Sequence, residues 1–208
     1  MEQNNHKPVL IVIAGPNGSG KTTVTSKILK HEWMEDAVYI NPDIIAQEIF
    51  GDWNSVNAIH QSIEYCEKLR ENCLEKKQSL IFETVLSRID KVDFIKRALD
   101  NGFFVRLFFV STSSPTINAS RIANRVMEGG HDVPITKIIS RFQKSIANAN
   151  LLAKIVDRAY FYDNSIDNED AKLLFRLSEG KLAKQYTESI PEWAGIILNN
   201  VSSMNCNL

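Results

Sequence analysis

Apolar and polar residues follow one another along this chain in blocks whose periods separate strands from helices. The run from Val9 to Ile13 is apolar at every position, which suits a parallel strand covered on both faces. Short apolar runs recur at 37–40 (AVYI), 79–83 (SLIFE), 103–110 (FFVRLFFV) and 159–165 (AYFYDNS), and each predicts a strand. Between them the period lengthens to three and four residues. Residues 57–77 put Ile59, Ile63, Cys66, Leu69, Cys73 and Leu74 on one stripe. A helix opened by Pro134 is expected to do the same with Ile135, Ile138, Ile139, Phe142, Ile146 and Ile155. Further helices are expected over 22–31, from Pro42 onward, over 92–100, and from Ser113-Ser114-Pro115 to about Met127, stopped by Gly129-Gly130.

This alternation predicts an α/β fold: a five-stranded, mainly parallel sheet with helices on both faces and ligands at the carboxyl ends of its strands. Gly15 to Thr22, Asp43, Glu83, Ser111 and Asp163 then share the ligand-facing end. After Ser165 the pattern changes. KLLFRLSEGKLAKQ alternates around Glu179-Gly180 as a small hairpin, and Pro191 to Val201 reads as a final helix. LSEGK echoes the ABC-transporter signature, but it falls inside the hairpin alternation with no strand-ending Asp after it. The expectation is one domain over 1–208, with its core at 9–165 and a C-terminal extension at 166–208.

Composition narrows the partners. Of 208 residues, 44% are hydrophobic and 24% charged, as in a soluble globular domain. The net charge of -1 offers no global attraction to nucleic acid or to an anionic membrane, so recognition of an anion has to be local. Cys66 and Cys73 lie seven residues apart on one expected helix, about 10 Å, beyond disulfide reach. With Cys206 they make no zinc pattern, and a reducing compartment suits them. The polar first ten residues show no signal peptide, and no apolar run reaches the roughly 18 residues of a membrane span. A cytoplasmic protein is expected.

Directly after the first strand, Gly15-Pro16-Asn17-Gly18-Ser19-Gly20-Lys21-Thr22 matches GxxxxGK[ST] at every fixed position. The glycines let backbone N–H groups turn inward on phosphate oxygens, Lys21 reaches the β and γ phosphates, and Thr22 offers its hydroxyl to Mg²⁺. Thr23 continues into the helix, whose N-terminal dipole favours the same anion. A cation at a helix N-terminus is unfavourable by about 0.3–1 kcal/mol without such a ligand. The glycine spacing is wrong for a Rossmann dinucleotide site, and there is no NKxD segment for GTP specificity.

With this loop, NPD at 41–43, FETVLS at 82–87, RVMEGGHDVP at 125–134, Arg141-Phe142 and DNS at 163–165 resemble, in order and spacing, the zeta-toxin family of P-loop kinases. The resemblance covers residues 9 to about 165. It implies a P-loop kinase fold with a helical lid, and transfer of the γ-phosphate of ATP, with Mg²⁺, to a hydroxyl; in characterised members the acceptor is the sugar of UDP-N-acetylglucosamine. Asp43 stands where the family has its catalytic aspartate, though a first-turn Asp favoured by the helix dipole fits the same place. Glu83 and Thr84 match substrate contacts, and Arg125 and Arg141 match phosphate-binding arginines. Arg121, four residues from Arg125, suits an anion held between the two. Gly129-Gly130 becomes a lid hinge, His131 a loop residue, and Asn164 and Ser165 candidates for base or ribose contacts. An antitoxin is a possible protein partner under this resemblance. Other readings stay open: a nucleotide-dependent switch ATPase, or a kinase for a nucleoside, antibiotic or other metabolite.

Overall fold

The computed structural model describes residues 7–28, 37–51, 55–127 and 133–203. Its strands are β1 (Val9–Ala14), β2 (Val38–Ile40), β3 (Leu80–Thr84), β4 (Phe104–Ser111), β5 (Arg158–Asp163), β6 (Lys172–Ser178) and β7 (Lys181–Gln185). Its helices are α1 (Lys21–Ile28), α2 (Pro42–Phe50), α3 (Val56–Glu75), α4 (Ile89–Asp100), α5 (Pro115–Met127), α6 (Ile135–Ala153) and α7 (Glu192–Ser202). The strands form one sheet in the order β2-β3-β1-β4-β5-β6-β7. The five strands expected from the apolar runs are all parallel.

The sheet has seven strands rather than five, because the C-terminal hairpin joins it: β6 runs antiparallel on β5, and β7 on β6. The cause is visible at β5. Phe161 is fully buried and would lie open at a sheet edge, but Phe175 of β6 stacks on it at 4.8 Å between centroids. LSEGK is the hairpin turn, with Glu179 and Gly180 both at positive φ (50° and 69°), as a two-residue hairpin loop requires.

β1 is buried from Leu10 to Ala14, and its alternate residues serve two cores. Leu10 and Val12 join Phe82, Leu107, Phe109 and Phe161 beneath α3, α4, α6 and α7, while Ile11 and Ile13 join Ile81, Phe108, Val110 and Val24 of α1 on the other face. The buried stripe of α6 is Ile138, Phe142, Ser145, Ala149, Leu152 and Ala153. Ile155 was expected on it but lies past the helix end and is exposed, as are Ile135 and Ile139. Cys66 and Cys73 are free and buried, and burial pushes the Cys66 thiol up to about 11. Gly129-Gly130, His131, Cys206 and the expected end of the first helix at His31 lie outside the described residues. Among the described residues, no helix is long and apolar enough to cross a membrane.

Candidate functional site

β1 sits in the middle of the parallel strands, with β3 and β4 on either side, so the chain after Ala14 leaves the sheet through a narrow gap. Gly15 fills that gap: its N–H donates to the Thr84 carbonyl of β3 at 3.2 Å, and its Cα faces the Val110 carbonyl of β4, where a Cβ would collide with backbone. Pro16 is buried behind it. α1 begins at Lys21, so its first-turn amides face the loop. Ser19 is fully buried, yet its Oγ has no hydrogen-bond partner, and the amides of Gly18 and Gly20 donate to no described residue. Unsatisfied donors around one bare loop are what a phosphate chain would fill.

Lys21 folds over the loop, its Nζ donating to the Gly15 carbonyl at 2.9 Å and the Pro16 carbonyl at 3.1 Å. Burial lowers its pKa to about 8; the charges of Glu83 and Asp43 act upward on it and that of Arg125 downward. The candidate catalytic and substrate groups thus act electrostatically on one ammonium. Thr22 and Thr23 are exposed in the first turn of α1.

Glu83 ends β3 in a set of hydrogen bonds that the strand pattern did not reveal. Its Oε1 accepts from Thr25 Oγ1 at 2.8 Å and from the Tyr39 hydroxyl at 2.7 Å. The Tyr39 oxygen in turn accepts from Asn41 Nδ2 at 3.0 Å, and Asn41 Oδ1 caps α2 by accepting the Asp43 N–H at 2.9 Å. Burial raises the Tyr39 pKa, so its hydroxyl remains a donor. Asp43 is exposed and, with Ile44, Gln47 and Glu48, lines an open depression of about 340 Å³.

Thr84 Oγ1 accepts the Leu86 N–H at 3.0 Å, and Leu86 is held at φ 58°, an unfavourable region for a branched side chain. Two residues of α6 secure this turn: Ser145 Oγ donates to the Val85 carbonyl at 2.7 Å and Asn148 Nδ2 to the Leu86 carbonyl at 2.8 Å. One turn earlier on α6, Arg141 Nη1 donates to Asn17 Oδ1 at 3.4 Å. Arg125 is exposed in the last turn of α5.

Arg121 is engaged by groups of its own chain. It binds Asp167 through Nε (2.8 Å) and Nη2 (2.6 Å), and donates to the Asn164 carbonyl from Nη1 at 2.8 Å. The Asn164 amide nitrogen is on the Ser19 carbonyl at 2.9 Å, and Ser165 Oγ donates to Asp163 Oδ1 at 2.7 Å. Sequence reasoning also passed over Asn118, whose Nδ2 donates to the Asn17 carbonyl at 2.5 Å. Its signal was available: a polar residue four before buried Ile122, on the inward stripe of α5.

The zeta toxin family model matches residues 1–175. A Haemophilus influenzae protein described only as uncharacterized is 32% identical over 126 residues, 58% of this chain and 83% of that protein. The structure of the PezAT chromosomal toxin–antitoxin system of Streptococcus pneumoniae is similar with a TM-score of 0.60 at 18% identity, over 99% of this chain and 88% of that one. The AvrRxo1-ORF1:-ORF2 complex with ATP is similar with a TM-score of 0.62 at 14% identity, over 97% of this chain and 78% of that one. Both likenesses are of fold.

Proposed function

This chain belongs to the zeta toxin family, a kinase-type and nucleotide-dependent family, and from that premise we propose that it moves the γ-phosphoryl group of ATP to a hydroxyl of a small molecule. The observation that carries the reading is the bare loop around Lys21, in which Ser19 Oγ and the amides of Gly18 and Gly20 have no partner; the charges of Glu83, Asp43 and Arg125 also act on its ammonium. An ATP-bound relative with the same fold supports the choice of nucleotide.

When bound, ATP supplies the transferable group and Mg²⁺ neutralises charge on its phosphates. The donors that would hold the phosphates are the amides of Gly18 and Gly20, Ser19 Oγ and the Lys21 ammonium, which exchanges the carbonyls of Gly15 and Pro16 for phosphate oxygens. Thr22, exposed at the start of α1, is the hydroxyl offered to Mg²⁺. Arg125 and Arg141 compensate negative charge from the α5 and α6 side. On the acceptor side, Asp43 holds the substrate hydroxyl and takes its proton as the O–P bond forms. Glu83, fixed by Thr25 and Tyr39, keeps its other oxygen for the substrate. Thr84 Oγ1 accepts from Leu86, which leaves its own proton free to donate.

The test is a screen of hydroxyl-bearing metabolites, UDP-N-acetylglucosamine first, for transfer from γ-labelled ATP. Asp43→Asn should keep ATP affinity by calorimetry and lose transfer by about 10² to 10⁴-fold. Slow hydrolysis alone, equal in wild type and Asp43→Asn, would replace the kinase with a nucleotide-driven switch. A neighbour of the same fold that belongs to a chromosomal toxin–antitoxin system supports an antitoxin as a protein partner.

A further inference from the structure

We propose that Asn118 and Asn164 are positioning residues for the phosphate site, acting through two peptide planes of the loop without touching the nucleotide. The inference rests on the reading of the loop as a phosphate cradle. In a trans peptide the carbonyl and the following N–H point in opposite directions. Holding the Asn17 carbonyl toward α5 therefore turns the Gly18 N–H the other way, and holding the Ser19 carbonyl toward the end of β5 does the same to the Gly20 N–H. These are the two carbonyls that the side-chain amides of Asn118 and Asn164 grip, at 2.5 and 2.9 Å. The amide between them is already used, since Ser19 N–H donates to the Pro16 carbonyl at 3.2 Å. Gly18 and Gly20, on either side of it, are left without an acceptor among the described residues, as are the amides of Asn17, Lys21 and Thr22.

Both grips are themselves fixed. Asn118 is fully buried, and its Oδ1 accepts from Thr112 Oγ1, which sets which end of the amide faces the loop. Its backbone presses on Gly18, and a Cβ on Gly18 would strike the Asn118 carbonyl. Asn164 is tied by its own N–H to the Ser111 carbonyl at 2.8 Å and by its carbonyl to Arg121, which Asp167 holds in turn. Gly20 lacks a Cβ where the Asn164 amide lies. The loop's donors are thus aimed before a ligand arrives, so binding requires little reorganisation.

An alternative role for Asn164, contact with the base or ribose, makes a different prediction, and inorganic tripolyphosphate separates the two because it has neither. Calorimetry on the full chain with ATP and with tripolyphosphate should show Asn164→Ala weakening both by the same factor, about 3- to 10-fold, the size of one net hydrogen bond. The KM for ATP should rise in step while the KM for the acceptor stays. Loss for ATP with tripolyphosphate unchanged would make Asn164 a base or ribose contact and overturn the proposal, as would no change for either ligand. Asn118→Ala should repeat the equal loss. If that buried change prevents folding, Thr112→Val, which removes the oxygen that orients the amide together with its bond to the Ser114 carbonyl, should give a smaller equal loss, and unaltered affinities there would count against Asn118. A wild-type chain that binds neither ligand removes the phosphate reading itself, a result distinct from any of these.

Discussion

Lys21 is a cation placed where burial opposes its charge, and this gives it a pH signature. With its pKa lowered to about 8 from 10.5, the folded chain sheds this proton before the unfolded chain does. Between about pH 8 and 10.5 the unfolded state binds more protons, so this lysine's contribution to stability rises with pH across that window and is flat below it. Wild type should gain stability relative to Lys21→Met over the same window, measured by denaturant unfolding at several pH values. Phosphate favours the charged form, so ATP affinity should fall as pH rises above about 8, with proton uptake in calorimetry using buffers of different ionisation enthalpy. A pH-independent affinity would mean that the ammonium does not meet the phosphates. At this scale the loop's place between β1 and α1 was readable, because glycines directly after an apolar run mark a turn. Tyr39, Thr25 and Asn118 were not, since a tyrosine in a strand or an asparagine in a helix announces no partner until the fold brings one 44, 58 or 101 residues away.

Among the elements, α6 joins the two halves of the candidate site: Arg141 reaches the glycine-rich loop at Asn17 while Ser145 and Asn148 hold the turn after Glu83. That turn contains Leu86 in a left-handed conformation, which such anchoring has to sustain at a cost of roughly 1–3 kcal/mol. Ser145→Ala removes the partner of the half-buried Val85 carbonyl and should destabilise the fold by about 1–3 kcal/mol, read as a lower denaturation midpoint. Ile135→Ala, exposed on the same helix, should stay within about 0.5 kcal/mol. Equal effects would mean that the α6 contact carries no stability. The period of α6 was legible in its isoleucines, but its inward stripe includes Ser145 and ends at Ala153, because helix termination and hydrogen bonding to a distant turn override hydropathy.

For the whole molecule, the stretch after Ser165, which lies beyond the motifs of the family resemblance, completes the sheet and the core. Trp193 of α7 packs on Phe109 of β4 at 5.7 Å and Phe175 of β6 on Phe161. Trp193→Ala should cost about 3–5 kcal/mol in chemical denaturation, and a chain cut after Ser165 should fail to fold, seen as the loss of a cooperative transition; a stable, ATP-binding fragment would make the tail an accessory. Alternating hydropathy identified the hairpin correctly, but pairing with β5 depends on the burial of Phe161, which no local pattern records. The grips on the loop also reach far along the chain, linking Asn17 to Asn118 and Ser19 to Asn164 across 101 and 145 residues. A ribosome therefore makes the motif early and its fastenings late. A nascent chain halted short of Asn164, or a fragment trimmed there by a protease, would carry a recognisable nucleotide signature with no means to aim it.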